Sequence, residues 1–139
     1  MSKQEEELVV DAIKAAETGT SGEIRVHIAN SLNKDVLSDA KVTFNHLKMN
    51  KTELKNGVLI YLVPKQKQFA IIGDEGIDNV LKPGFWEDSK DKMQEFFKQG
   101  KFVEGIISGI QSVAETLKTQ FPYQSDDVNE LDDEISYDA

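Results

Sequence analysis

Cysteine is absent from this chain of 139 residues, and histidine occurs only as His27 and His46. The lack of cysteine excludes disulfides, thiolate metal sites and cysteine nucleophiles. With two histidines alone, a zinc site of the usual nitrogen and sulfur type is not expected. No apolar run approaches the roughly 20 residues that cross a bilayer, and the first residues lack the apolar core of a signal peptide. We therefore expect a cytoplasmic protein that does not insert into membranes.

Basic residues are missing from the C-terminal segment. Residues 124–139 contain seven acids and no lysine or arginine, so the net charge of −9 leaves only −2 on residues 1–123. This distribution argues against nucleic-acid binding through the phosphate backbone. Residues 1–123 are long enough for one domain with its own hydrophobic core. The acidic tail has few apolar residues to anchor it, and we expect it to be disordered.

Hydrophobic periodicity predicts alternating helices and strands. Residues 23–29 alternate strictly, as in a half-buried strand, whereas residues 57–63 form an unbroken apolar run typical of a strand covered on both faces. Residues 68–72 follow after a short turn and predict an antiparallel hairpin. Apolar residues at helical spacing predict helices over residues 4–17, 35–47, 85–98 and 101–119. The pattern predicts an α/β domain with helices on both faces of a small mixed sheet.

Two polar features within these elements carry no catalytic signature. His27 lies on the face of its strand opposite to the apolar residues, and we interpret it as a surface or helix-covered histidine. The last helix carries small residues at Gly105, Ser108, Gly109 and Ser112. They do not follow a strand, so they are no phosphate loop, and we interpret them as a site of close helix packing.

The segment 73–79 places acids at the end of the third strand. It holds Asp74, Glu75 and Asp78, one amide and two glycines directly after an apolar run. Oxygen ligands on a flexible loop suit a hard cation such as Ca²⁺ or Mg²⁺ better than Zn²⁺. The alternative is a solvated acidic loop, which is common on acidic proteins.

Polar residues also follow the first strand. Asn30, Asn33 and Asp35 lie in the connecting loop, and Asp39 lies one turn into the next helix. If the first and third strands run parallel, this loop and the 73–79 segment meet at one edge of the sheet. Carboxylates that lie so close together repel one another and oppose folding unless a cation neutralises them. The cluster contains enough acids to bind one ion or two. The alternative is that these acids face water or cap helices, as Asp35 could.

Four segments resemble the TPM domain family, which includes a thylakoid-lumen protein linked to photosystem II repair. They are residues 20–26 (TSGEIRV), 56–61 (NGVLIY), 70–77 (AIIGDEGI) and 100–106 (GKFVEGI), and their order and spacing carry the match. The resemblance implies a three-layer α/β/α sandwich with a sheet of about four strands. It also implies that Asp74 and Glu75 bind a divalent cation, with Asp78 and Asp39 as the next candidate ligands. A further implication is the acid-phosphatase activity ascribed to a plant member. Many relatives have a signal peptide or membrane anchor, which we do not expect here, and the sequence pattern does not indicate where the fourth strand lies.

Three functions are compatible with these features. The first is a stand-alone TPM domain in which Ca²⁺ or Mg²⁺ orders the loops at 30–39 and 74–79, with a regulatory or interaction role. The second is a metal-assisted acid phosphatase acting on phosphomonoesters, with Lys34 or Lys82 holding the phosphate. The third is an interaction module whose acidic tail contacts an unidentified protein partner. The sequence has no nucleophile elbow or P-loop that would favour catalysis, and no EF-hand loop that would identify a calcium site.

Overall fold

Four strands form one sheet in the order β3-β2-β1-β4. The computed structural model describes residues 1–52, 54–78, 86–122 and 134–138, excluding the side chain of Asp78. Strand β1 pairs in parallel with both β2 and β4, while β3 returns antiparallel to β2. The predicted mixed sheet and its hairpin are therefore confirmed. The strands are β1 (Glu23–Ile28), β2 (Gly57–Val63), β3 (Gln68–Gly73) and β4 (Ser136–Tyr137).

The four predicted helices are present, each with boundaries within two residues of the prediction. A fifth, single-turn helix occupies Glu75–Asp78, where the sequence suggested a loop. None of the described helices is long and apolar enough to cross a bilayer. The helices are α1 (Lys3–Glu17), α2 (Val36–His46), α3 (Glu75–Asp78), α4 (Glu87–Lys98) and α5 (Phe102–Gln120).

Strand β2 separates two hydrophobic cores. Val58, Ile60 and Leu62 pack with residues of α1, α4 and α5. Their neighbours Leu59, Tyr61 and Val63 point the other way and pack with residues of α2. Every residue of β2 is buried, which explains its unbroken apolar run. The three-layer α/β/α arrangement is thus confirmed.

Helices α4 and α5 pack closely because of the small residues on α5. A Cβ atom on Gly105 would lie 2.4 Å from the ring of Phe97, and one on Gly109 would lie 2.4 Å from the sulfur of Met93. Ser112 completes the contact, with its Oγ 2.6 Å from that of Ser89. The interpretation of this stripe as a packing surface is confirmed.

The directions of β1 and β3 contradict the prediction that the two acidic loops lie at the same edge of the sheet. In register, Gly57 pairs with Glu23 at the start of β1, while Gly73 at the end of β3 pairs with Val58. Because β3 runs antiparallel to β2, and β2 runs parallel to β1, β3 ends at the edge where β1 begins. The loop after β1 and the segment after β3 therefore lie at opposite edges of the sheet, and the expected two-loop cluster is wrong.

The fourth strand lies in the acidic tail. Ser136 and Tyr137 pair with His27 and Ile28, so the expectation of disorder over 124–139 does not hold at these two residues. Their strand is held by side-chain contacts to β1 and α1 that apolar periodicity does not reveal. The remaining tail residues, 124–133 and Ala139, lie outside the described residues.

Candidate functional site

Asp74 is held at the point where β3 ends and α3 begins. Its backbone N–H donates to the carbonyl of Gly57 at 2.9 Å, and its carbonyl accepts from the N–H of Ile77 at 2.9 Å. Its side-chain Oδ1 accepts from the N–H of Glu75 at 2.8 Å. The residue is only 9% exposed. Strand pairing on one side and the helical turn on the other therefore fix the position of this carboxylate.

The second carboxylate oxygen of Asp74 has no hydrogen-bond donor among the described residues. Within the described part of the chain, Asp74 Oδ2, Asn50 Oδ1 and Thr52 Oγ1 are all buried without a partner. Asp74 and Asn50 line one cleft of about 410 Å³, which Lys41 of α2 and Trp86 also border. A buried acceptor without a donor costs about 1–3 kcal/mol, and a charged acceptor costs more. Unpaired oxygens of this kind fit the ligand preference of a hard cation.

Gly76 brings the α3 turn against the backbone of residues 54 and 55. A Cβ at this position would lie 2.4 Å from the carbonyl oxygen of Lys55 and 2.5 Å from that of Leu54. Backbone cannot move aside as a flexible side chain can, so glycine is required here by close approach. The segment that contains Asn50 and Thr52 is thereby held beside Asp74.

Of the other residues predicted after β3, Glu75 is adjacent to Asp74 and exposed. Asp78 closes α3, but its side chain lies outside the described residues, as do Asn79 and Lys82. The structure therefore keeps the predicted Asp74 and Glu75 together at one end of β3.

The carboxylates after β1 already have protein donors. Asp39 is 6% exposed and accepts from the backbone N–H of Asn33 at 2.7 Å and of Lys34 at 3.2 Å. Asp35 caps α2 by accepting from the N–H and hydroxyl of Ser38, and these hydrogen bonds lower the pKa of Asp35. The helix-capping alternative is correct for Asp35.

Asn30 belongs to a different contact. Its backbone N–H donates to Oδ2 of Asp138 at 2.7 Å. In the described ranges, no three or more histidine, aspartate or glutamate side chains gather as metal ligands. The predicted metal ligands thus lie at two opposite edges of the sheet. At the edge that contains Asp74, one carboxylate oxygen has no partner among the described residues, and at the edge that contains Asp39 the aspartates accept hydrogen bonds from the protein.

Sequence reasoning missed Asn50 and Thr52. They lie in the polar stretch 48–56, which has no periodicity or motif to mark them. The approach of Gly76 to the carbonyls of 54 and 55 and the hydrogen bond from Asp74 to Gly57 bring this stretch to the end of β3. No signal in the sequence could have identified them.

Sequence reasoning also missed a serine, histidine and aspartate contact. His27 is 4% exposed, with Nδ1 2.7 Å from Ser136 Oγ and Nε2 2.8 Å from Asp138 Oδ1. Its ring stacks on that of Tyr61, with centroids 5.3 Å apart. Ser136 Oγ also lies 3.4 Å from the carbonyl of Val26. These contacts attach the tail to β1.

Comparison with protein-family models identifies the family to which the chain belongs. The model of the TPM domain matches residues 1–116. A search of curated proteins finds no match.

Solved structures give the same fold. The NMR structure of the BA42 protein from the psychrophilic bacterium Bizionia argentinensis is 43% identical, with a TM-score of 0.93, over 99% of this chain and 95% of that one. The N-terminal domain of a protein from P. gingivalis is 19% identical, with a TM-score of 0.72, over 89% and 82% of the two chains. The N-terminal domain of the cg2496 protein from Corynebacterium glutamicum is 15% identical, with a TM-score of 0.60, over 84% and 74%. The last two similarities concern the fold alone.

Proposed function

Because the chain belongs to the TPM domain family, we propose that it acts as a divalent-cation-binding module with its site at the end of β3. The observation that carries the proposal is the buried Oδ2 of Asp74, which has no partner among the described residues, in a cleft shared with Asn50. Asp74 would supply the charge that attracts the ion, and Asn50 a neutral oxygen. The ion is Ca²⁺ or Mg²⁺, since both prefer oxygen ligands.

The charges around the cleft favour modest affinity. Among the described residues, one carboxylate lines it, and Lys41 lines it too. An ammonium group near a bound cation opposes binding through like-charge repulsion. Glu75, exposed beside Asp74, partly offsets this repulsion. A site of low charge suits a regulatory ion that binds and leaves as its concentration changes.

Binding would link three pieces of the chain. Asp74 joins β3 to α3, and Asn50 belongs to the segment that packs against Gly76. An ion held by both would stabilise these segments against each other, because a ligand that binds only the folded state stabilises that state. We therefore expect the regulatory effect of the ion to be local order at this edge of the sheet.

Backbone amide NMR shifts during titration with Ca²⁺ and with Mg²⁺ test the proposal. We expect shifts in residues 50–56 and 73–77 at millimolar ion, and their loss in Asp74→Asn. The control is Asp35→Asn, which removes one exposed carboxylate at the opposite edge and should leave the titration unchanged. Shifts confined to residues 30–39 would move the site to the Asp39 end, and no shifts at either end would refute cation binding.

The second candidate is the metal-assisted phosphatase, and one observation favours it. Lys41 lines the same cleft as Asp74 and could hold a phosphate there. Lys34 follows β1 at the opposite edge, and Lys82 is outside the described residues, so neither predicted lysine has this support. A cation at Asp74 would supply polarisation of a phosphoryl oxygen.

Lys41→Gln separates the two candidates. For a cation-binding module, removal of the like charge should tighten Ca²⁺ binding about two- to fivefold, as expected for one exposed charge pair. For a phosphatase, the same substitution should lower turnover of a phosphomonoester. Phosphate release that is absent from purified wild-type protein, or unchanged in Asp74→Asn, would exclude the phosphatase.

A further inference from the structure

A second cleft lies at the other end of β3. It has a volume of about 420 Å³ and lies between the β2–β3 turn and the α4–α5 turn. It shares no lining residue with the Asp74 cleft. We call it the phenylalanine cleft, because Phe69, Phe97 and Phe102 line it. Its volume falls within the range of small-molecule sites, roughly 300–1,000 Å³.

The three aromatic rings form a fixed wall. The ring centroids of Phe69 and Phe97 are 5.2 Å apart at an interplanar angle of 87°, and those of Phe97 and Phe102 are 5.6 Å apart at 34°. Behind them, Gly105 leaves no room for a Cβ against the Phe97 ring. All three rings are partly exposed. Preformed apolar surface of this kind favours an apolar ligand.

The polar groups of the cleft are cationic or neutral. Lys67 and Lys98 line it with the amides of Gln68 and Gln94, and none of its described lining residues is acidic. Neither lysine forms an ion pair with a described residue. In a chain with a net charge of −9, the described lining of this cleft is positive, while Glu87 and Asp91 line an adjoining cleft that shares Lys67 with it. The charge pattern therefore selects an anion.

We propose that the phenylalanine cleft binds a small monocarboxylate with an aromatic body. The apolar body would pack on the Phe69, Phe97 and Phe102 rings. The carboxylate would face the Lys67 and Lys98 ammonium groups, which are charged donors to its two oxygens. Lys67 has a left-handed backbone, with φ of 54°, and Lys98 ends α4, so both Cα positions are set by turns that border the cleft.

Titration of the full chain with 3-phenylpropionate, followed by amide NMR, tests this site. We expect saturable shifts in residues 62–69 and 94–102 at millimolar ligand. The neutral alcohol 3-phenylpropanol should bind about five- to tenfold more weakly, and acetate should cause no shifts there. Equal binding of acid and alcohol would overturn the anion assignment, and the absence of shifts with the acid would overturn the site.

Matched lysine variants separate specific recognition from general charge. The double variant Lys67→Gln and Lys98→Gln should weaken phenylpropionate binding about five- to tenfold, as expected for two partly solvated ion pairs. The control is the double variant Lys65→Gln and Lys92→Gln, which lowers the net charge by the same amount on the same turn and the same helix. Both residues are exposed and lie outside the cleft, so binding should change less than twofold. Equal losses in the two double variants would refute the proposal. All four lysines are exposed, so loss of folding does not explain either result.

Discussion

Nε2 of His27 lies 2.8 Å from Oδ1 of Asp138, a contact between β1 and the acidic tail. The same carboxylate accepts the backbone N–H of Asn30 at 2.7 Å through its other oxygen. Both oxygens of Asp138 thus bind the region where β1 ends. Ser136 and Tyr137 also contact His27 and Glu6, but Asp138 contacts β1 and the residue after it through both carboxylate oxygens, so we expect this carboxylate to contribute strongly to attachment of the tail.

Replacement of Asp138 by alanine should release residues 134–138. We expect faster amide exchange at Ser136 and Tyr137, and a loss of about 1 kcal/mol in the free energy of unfolding, because two hydrogen bonds are lost from a partly solvated group. Hydrogen exchange and urea unfolding measure the two effects. Asp11→Ala, at an exposed position of α1, is the control and should change neither. Unchanged exchange in Asp138→Ala would show that the strand is held by other contacts.

The stabilising effect of Asp138 should disappear in acid. Burial raises the pKa of Asp138, but the hydrogen bonds from Asn30 and His27 and the charge of the imidazole outweigh it, and the net pKa is lowered. A carboxyl with a lowered pKa in the folded state stabilises above its unfolded value of about 3.9, and this contribution is lost as the pH falls through the folded value. The difference in unfolding free energy between wild type and Asp138→Ala should therefore shrink below about pH 4. A difference that stays constant to lower pH would contradict the assignment.

Tyr137 should attach the tail to α1 until strongly alkaline pH. Burial and the hydrogen bond to Oε1 of Glu6, 2.6 Å away, raise the pKa of the Tyr137 hydroxyl to about 12. Because the folded pKa is raised, the contribution to stability is complete below the unfolded value of about 10 and is lost between that value and 12. Tyrosinate absorbance during alkaline titration measures the pKa, and Tyr137→Phe identifies which transition belongs to this residue. Glu6→Gln should lower the pKa of Tyr137, and an unchanged value would exclude the contact.

A side chain at Gly76 should disrupt the candidate cation site. In Gly76→Ala the new Cβ meets the backbone carbonyls of 54 and 55, and we expect a loss of about 1–3 kcal/mol in unfolding free energy, as for overpacking elsewhere. Gly19→Ala is the control, because its Cβ would meet only the flexible end of the Lys118 side chain. That change should cost less than about 0.5 kcal/mol. Equal stability of the two variants in urea would show that the 54–55 segment moves freely away from α3.

Elements with strong local patterns were predictable from the sequence. The apolar run of β2 indicated burial on both faces, and each of its residues is buried. The helix predicted over residues 101–119 is found at Phe102–Gln120, with its small residues facing α4 as interpreted. These predictions succeeded because burial on one face or two leaves a period in the residues themselves.

The candidate site was only half predictable. Asp74 and Glu75 could be named because they follow a strand, but Asn50 lines the same cleft as Asp74 through packing between segments that are distant in the sequence. Asp39 was assigned to the same cluster because the relative direction of β1 and β3 could not be established from either strand alone. Pairing of each with β2 shows that they run in opposite directions.

The sequence by itself determined four of the helices, three of the strands and the hairpin, since periodicity and turn residues act over a few neighbours. Tertiary structure alone decided that the two acidic segments lie at opposite edges of the sheet. It also decided that Asp74, which lines one cleft with Asn50, has a buried oxygen without a partner among the described residues, and that a tail strand pairs with β1 more than 100 residues away. These features arise from contacts between distant segments, whose free energy depends on how the whole chain packs and leaves no local pattern.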